Sequence, residues 1–430
     1  MDIEQFFQMA DNNLKCNTAY PIFKDAFLKY QSENDILSDT EELSFYIHIP
    51  FCKQLCRFCE YTKFLAGNDE MESQYLSLLS KQIDRFLNTH RIKRIYGLDI
   101  GGGTPTALSE ENFRKMLDIS ARLEVFDKIS DYEKSIEISF STITERKIEE
   151  ISRHDFKRVS VGMQSLDRTL MDENNRVYSR IEDICRIKEK IQSYGIPKLN
   201  IDLMYGMTNQ TESMIKNTLD AIMFIRPEQV TLYETRFNRN QMDFSKVNRK
   251  LQYQQYSYMY QRLTDMGYKG FFGGNTFSVY EDKGVSSYLK YRMEQCIPYK
   301  GFGISAQSMS LKGLSYGIFK NTDKTTMPDL EEITNGYNYI LPKEEILAKY
   351  VCIAMYHGRL NLNTMEKILS ENPLTVYKAV FDYLFCHDFI KQSDEIVYLT
   401  EKGFRYYGAI ATLFWSEEQK ERLVENNGRL

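Results

Sequence analysis

Three cysteines crowd into eight positions of this chain: Cys52, Cys56 and Cys59, in the run YIHIPFCKQLCRFCEY at 46–61. Their spacing is C-x-x-x-C-x-x-C, directly after a segment that reads as a strand. Thiolates are the usual ligands of iron–sulfur clusters. Three of them leave a four-iron cluster one ligand short, so one iron keeps an open position, as a catalytic zinc does when it has three protein ligands. An open position is what chemistry needs and what a structural site avoids. A zinc knuckle or a chance grouping is the competing reading. Zinc would want a fourth ligand, and His48 on the preceding strand is the obvious candidate. The remaining cysteines, Cys16, Cys185, Cys296, Cys352 and Cys386, are scattered and read as small buried hydrophobes. Eight cysteines in 430 residues do not make a disulfide scaffold, and in a reducing cytoplasm the group of three reads as metal or redox chemistry.

A second signal is GGGTPT at 101–106, after the next predicted strand. Glycines let a backbone approach a ligand closely, although a glycine turn before a helix is also ordinary. Polar residues gather near the ends of further strands: Glu137 in SIEISF, Gln164 in VGMQSLD, Asp202 in NIDLMYG, and Glu234 with Arg236 in YETRFN. In parallel α/β folds, sites form at the carboxyl ends of the strands. Glu137 and Asp202 alternate with apolar neighbours, so each either faces solvent or is a buried acid that needs a partner or ligand. Gln164 has an ordinary reading as a loop amide and Arg176, in ENNRVYS, as a surface charge. Arg236 and Arg239 are candidates to pair with substrate carboxylates, with a solvated loop as the alternative. Tyr288 and Arg292, in SSYLKYRMEQ, are candidates of the same kind.

The elements that must position these groups are legible as six β-rich runs: 43–49, 94–100, 135–140, 158–163, 198–205 and 229–234. Helical patterns near 72–90, 109–125, 144–153, 181–194 and 211–225 lie between them, with start signals at Ser109, Thr144 and Thr211. Six βα units predict a parallel sheet with helices outside, an incomplete (β/α)6 TIM-like barrel, with a doubly wound sheet as the alternative. Residues 1–43 read as an N-terminal helical arm, 44–240 as the partial barrel and 241–335 as extension and loops. Residues 336–430 read as a C-terminal, mainly helical, winged-helix-like domain. Hydrophobic residues make up 42% and charged residues 27%, an ordinary globular balance, and the formal net charge of −5 makes no case for a nucleic-acid surface. No apolar stretch of about 18 residues predicts a membrane span, and the first residues lack an apolar signal core, so a cytoplasmic location is expected.

The combination YIHIPFCKQLCRFC, GGGTPT, SVGMQSLD, NNRVYS and NIDLMYG resembles the radical S-adenosylmethionine (SAM) superfamily, and within it the oxygen-independent coproporphyrinogen III oxidase (HemN-like) branch. The likeness covers about residues 44–240 and continues more loosely through 298–308 and 399–415. It implies a [4Fe–4S] cluster on the three cysteines and one or two SAM molecules. Gly102, Gly103 and Thr104 would lie at the methionine end of SAM, with Glu137, Gln164, Arg176 and Asp202 at its polar groups and Tyr46 and Phe58 flanking the cluster. Glu234, Arg236, Tyr288 and Arg292 would be substrate contacts. The resemblance implies reductive cleavage of SAM to a 5′-deoxyadenosyl radical that removes hydrogen from an organic substrate. It also implies an electron donor of reductase, flavodoxin or ferredoxin type. Members that oxidise coproporphyrinogen carry a fourth cysteine two residues after the third, where this chain has Tyr61. Its only tryptophan, Trp415, lies in no heme-binding motif. The reactions implied are porphyrin-related oxidation, or radical methyl or methylene transfer with a second SAM. A heme or porphyrin carrier that keeps the cluster is the alternative.

Overall fold

In β1 (Glu42–Ile49) the side chains of Leu43, Phe45, Ile47 and Ile49 are completely buried, while Tyr46 and His48 alternate with them and point the other way. The same two-residue period runs through β2 (Arg94–Gly102), β3 (Lys134–Ile138), β4 (Arg158–Gln164), β5 (Lys198–Tyr205) and β6 (Gln229–Glu234). The outer set is aliphatic and packs on helices. The inner set is polar: Asp99, Glu137, Ser160, Asp202 and Thr231. This is a computed structural model, and it describes residues 1–13, 20–21, 24–126, 131–235, 248–316 and 337–425.

The six strands pair in parallel and in chain order. A doubly wound sheet reverses its strand order at a switch point, and this one does not, so the architecture is the partial barrel. Helices α1 (Asp69–Thr89), α2 (Glu110–Ala121), α3 (Glu145–Arg153), α4 (Ile181–Ser193) and α5 (Glu212–Ile225) make the crossovers. The expected start signals are N-caps. Ser109, Thr144 and Thr211 accept from Asn112 N, Lys147 N and Met214 N at 3.3–3.4 Å.

Within 241–335, read from sequence as extension and loops, the described residues extend the same sheet. After α6 (Arg249–Asp265), β7 (Thr276–Ser278) pairs antiparallel with β6 at one edge. After α7 (Ser287–Gln295), β8 (Tyr299–Phe302) pairs parallel with β1 at the other. Antiparallel strands at 307–310, 313–316 and 337–340 and the pair Gln31–Ser32 complete twelve strands. Strands of two to four residues carry too short a pattern to be read from sequence.

The C-terminal unit runs helix Lys343–Tyr356, strand Arg359–Asn361, helices Leu362–Leu369 and Lys378–Cys386, then the hairpin Ile390–Ser393 and Ile396–Leu399. This is the expected winged-helix-like order. Trp415 is 2% exposed in its core and donates Nε1–H to Cys352 Sγ at 3.3 Å. Cys296 and Cys352 are buried as expected. Cys185 is only half-buried and Cys386 is exposed, because each lies on the outer side of its helix; Cys16 lies outside the described residues.

Tyr75 of α1 ties the helix to the strand ends. Its hydroxyl donates to His48 O at 2.6 Å and accepts from Ile304 N at 3.1 Å, fully buried. Tyr75→Phe leaves both backbone groups without that partner, at an expected cost of about 1–3 kcal/mol. The urea midpoint measures it; an unchanged midpoint would show that water replaces the hydroxyl.

Candidate active site

At the carboxyl end of the barrel the three cysteines open on one cavity of about 270 Å³. Its wall includes Cys52, Cys56, Phe58 and Cys59 from the loop after β1, and Gly102, Gly103 and Thr104 at the end of β2. Glu137, Gln164, Arg176, Asp202 and Glu234 complete the set that the sequence singles out. Tyr46, Tyr288 and Arg292 are not part of this wall. Tyr46 stacks on Tyr288 at 5.9 Å, Arg292 lies 4.2 Å over the Tyr299 ring, and Arg292 Nη1 donates to the Tyr288 hydroxyl at 3.2 Å. These side chains pack α7 against β1 and β8, because positions 288 and 292, one helical turn apart, share the buried face of α7. Arg236 and Arg239 lie outside the described residues.

The cysteine loop is clamped from two sides. From β2, Gly103 N donates to Ile49 O at 2.8 Å and Thr104 N to Phe51 O at 2.7 Å. A Cβ on Gly103 would meet Phe51 O at 2.7 Å, so the glycine serves the protein's own close approach. From the NNR segment, Asn174 O accepts from Arg57 N at 3.1 Å and Asn175 Nδ2 donates to Leu55 O at 3.0 Å. The sulfurs also receive donors: Thr104 Oγ1 lies 3.9 Å from Cys52 Sγ and Arg176 Nη1 lies 3.7 Å from Cys56 Sγ. Arg176 Nη2 donates to the Gly162 carbonyl, which anchors the guanidinium at the cavity wall.

The acids are of two kinds. Asp202 sits in a polar layer of the lumen. Ser160 Oγ lies 3.3 Å from its carboxylate and Asn200 Nδ2 donates to it at 2.7 Å. Burial pushes its carboxyl up to about 6 against the pull of the Arg158 charge and these donors. Glu137 faces open cavity water yet is ringed by protein; that enclosure, and then the Asp202 charge, push its carboxyl up to about 7, while Gly102 N donates to it at 3.1 Å. Gln164 sits at a register shift in β4 with φ 66°, and its Oε1 is buried with no hydrogen-bond partner among the described residues. An orphaned buried acceptor beside two acids is a place for a donor-rich ligand.

Burial pushes the Cys52 thiol up to about 12, opposed by the Thr104 hydroxyl and the Lys63 charge. A bound metal reverses that order, since a coordinated thiol is deprotonated. The thiol-only donor set suits an iron–sulfur cluster, and His48 is not free to complete a zinc site. Both ring nitrogens of His48 are engaged, Nε2 with Thr62 O at 3.1 Å and Nδ1 with the Tyr46 hydroxyl at 3.3 Å. Burial lowers its imidazole to about 4. Among the described residues no group of three or more His, Cys, Asp or Glu side chains is placed to hold a metal ion. Pattern reading missed Lys63, Ser160, Tyr233 and Tyr356 in the wall. Tyr233 follows from strand alternation with Thr231; Tyr356 comes from the C-terminal unit, which no local signal connects to the barrel.

Residues 46–222, the partial barrel with its cysteine loop, match the Radical SAM superfamily. The chain is also similar to oxygen-independent coproporphyrinogen III oxidases. The one from Helicobacter pylori strain J99 is 30% identical over 246 residues, 54% of this chain and 52% of the relative. The heme chaperone HemW of Bacillus subtilis is 27% identical over 193 residues, 44% of this chain and 49% of that one. The matched region thus spans about half the length of these relatives. The fold extends further: the coproporphyrinogen III oxidase HemN of Escherichia coli superimposes with a TM-score of 0.73 at 19% identity, over 93% of this chain and 97% of that one. The superfamily implies a [4Fe–4S] cluster and SAM. No helix among the described residues is long and apolar enough to cross a membrane.

Proposed function

We propose that Cys52, Cys56 and Cys59 hold a [4Fe–4S] cluster and that the chain cleaves SAM reductively, so that a 5′-deoxyadenosyl radical removes a hydrogen atom from an organic substrate in the cytoplasm. The cluster, when bound, supplies an iron with an open position and the electron for cleavage. The protein does the rest. Gly102, Gly103 and Thr104 border the space beside the cysteines, and Gln164 Oε1 offers an acceptor to the SAM ammonium or ribose. Arg176 offers a donor to its carboxylate, and Glu137 and Asp202 face its positive and hydroxyl groups. The observation that carries this reading is one cavity shared by three cysteines, an orphaned acceptor and two acids held near neutrality.

The substrate side is the wall of Tyr233, Glu234 and Tyr356. Tyr407 of the C-terminal unit donates to Glu234 at 2.5 Å and fixes its carboxylate. A porphyrin-related substrate follows from the relatives' names. Methyl or methylene transfer with a second SAM is the further possibility, with Tyr61 standing where the oxidases have a cysteine. A low-potential reductase, flavodoxin or ferredoxin would supply electrons. The similarity to a heme chaperone favours one second reading, a heme or porphyrin carrier. Anaerobic reconstitution with dithionite and SAM tests the first: 5′-deoxyadenosine and methionine are expected. S-Adenosylhomocysteine beside them would add a second, methyl-donating SAM. An intact four-iron cluster that yields neither product yet binds heme tightly would replace the enzyme by the carrier.

SAM affinity should rise with pH. Both carboxyls lie above their ordinary values, so they hold protons at pH 5.5 that they release through about 6 to 7. Ionised, they attract the cationic ligand. The same shifts act on the ligand-free fold with the opposite sense: stability from these protons is full below about 4 and is lost as pH rises through about 6 to 7. Calorimetric titration with SAM at pH 5.5 and 8 should show tighter binding at pH 8, and Asp202→Asn should flatten the difference. Equal affinities in the unmodified protein would refute the assignment of these acids.

A further inference from the structure

Lys63 follows the last cluster cysteine by four residues and is 2% exposed. Its ammonium lies at the wall of the cavity and makes one hydrogen bond among the described residues, to Cys59 O at 2.6 Å. No carboxylate of the described residues is within ion-pair distance. The other deeply buried lysines differ. Lys134 pairs with Glu124 at 2.7 Å, and Lys147 donates to the carbonyls of Thr106, Leu108 and Thr142 at 2.7, 2.8 and 3.2 Å. An ammonium has three donors, and a buried charge without a counter-ion is costly. Lys63 therefore stands beside the cysteine loop with two donors and a full charge to spare.

We propose that the counter-ion of Lys63 is the iron–sulfur cluster itself, and that its charge sets how readily the cluster accepts an electron. This rests on the reading that the three cysteines hold a cluster. A four-iron core carried by three thiolates is a net anion, and reduction adds a negative charge. A fixed, water-excluded cation beside it favours the reduced state, just as an opposite charge favours the ionised form of an acid. The bond to Cys59 O aims the Lys63 charge, by tying the ammonium to the backbone of a ligand residue. Lys63 is a positioning and tuning group that does not touch substrate.

The test uses the full chain, reconstituted without oxygen and without SAM. Iron and sulfide content and an EPR-monitored redox titration are read for the parent, Lys63→Met, Lys63→Gln and Lys63→Arg. The Met and Gln variants are expected to load iron and sulfide as the parent does. At the poise where the parent is half reduced, their ratio of reduced to oxidised cluster should be about tenfold lower, 59 mV for one electron. Arg should stay close to the parent. An unchanged potential in Met and Gln would overturn the proposal, as would an Arg variant that shifts as they do. Failure of both neutral variants to load while Arg loads would also overturn it, in favour of a role in assembly. A parent that loads no four-iron cluster would overturn the reading of the cysteines together with this inference.

Discussion

Cys56→Ala should leave a folded protein that holds no four-iron cluster and cleaves no SAM. The loop around Cys56 is fixed by its neighbours' backbones and not by its sulfur: Leu55 O and Arg57 N bond the NNR segment, and Cys56 O accepts from Cys59 N at 3.3 Å. Among the described residues its sulfur receives only the Arg176 donor at 3.7 Å. Trimming a thiol at a 7% exposed position removes little apolar area, so stability should fall by about 1 kcal/mol. Two thiolates cannot hold what three hold, and product formation should fall by at least about a thousandfold, 4 kcal/mol of barrier. A variant with full iron and sulfide that still releases 5′-deoxyadenosine would sink the assignment.

Arg158→Met should cost the most stability of any single change in the lumen. The guanidinium is 7% exposed at the start of β4, donating Nε–H to Gln229 Oε1 at 2.7 Å and Nη1–H to Ser135 Oγ at 3.0 Å. Its charge holds down three carboxyls of the lumen, those of Asp99, Glu137 and Asp202. Asp99 is pushed up to about 7 by burial even with this help, and its Oδ1 has no hydrogen-bond partner among the described residues. Removing one member of a buried charge set costs about 3–5 kcal/mol. The loss should be larger at pH 8, where the carboxyls are ionised, than at pH 5, where protons replace the missing cation. Urea denaturation at the two pH values measures this. SAM affinity should weaken in parallel and its rise with pH should move to higher pH, because protons leave the acids later. A loss under 1 kcal/mol, or one equal at both pH values, would mean that Arg158 does not neutralise these acids.

The residues that pattern reading found lie on elements whose burial repeats. The run 198–205 is strand along its whole length, because Leu199, Ile201 and Leu203 must all face helices, and that forces Asp202 inward. Glu137 follows from Ile136 and Ile138 in the same way. Parallel pairing in chain order then gathers these strand ends at one mouth, so a list of polar residues becomes a site. Residues that depend on contacts between distant segments stayed hidden. Tyr288 and Arg292 read as candidate substrate contacts, yet they pack under β8, a four-residue strand with no readable period. Lys63 carries no pattern signal of its own, and its place at the cavity appears only once the chain folds over it. Tyr356 reaches the cavity from a unit that begins more than a hundred residues after β6.

Trp415 is the chain's single tryptophan, and it is sealed in the C-terminal unit between Tyr20, 5.5 Å away ring to ring, and Cys352. Selectively excited indole emission is therefore an optical probe of that unit alone, while cluster absorbance watches the barrel. The indole is a built-in reporter of the C-terminal unit, and a melt that follows it beside the visible absorbance of a loaded cluster would distinguish one cooperative transition from two without any label.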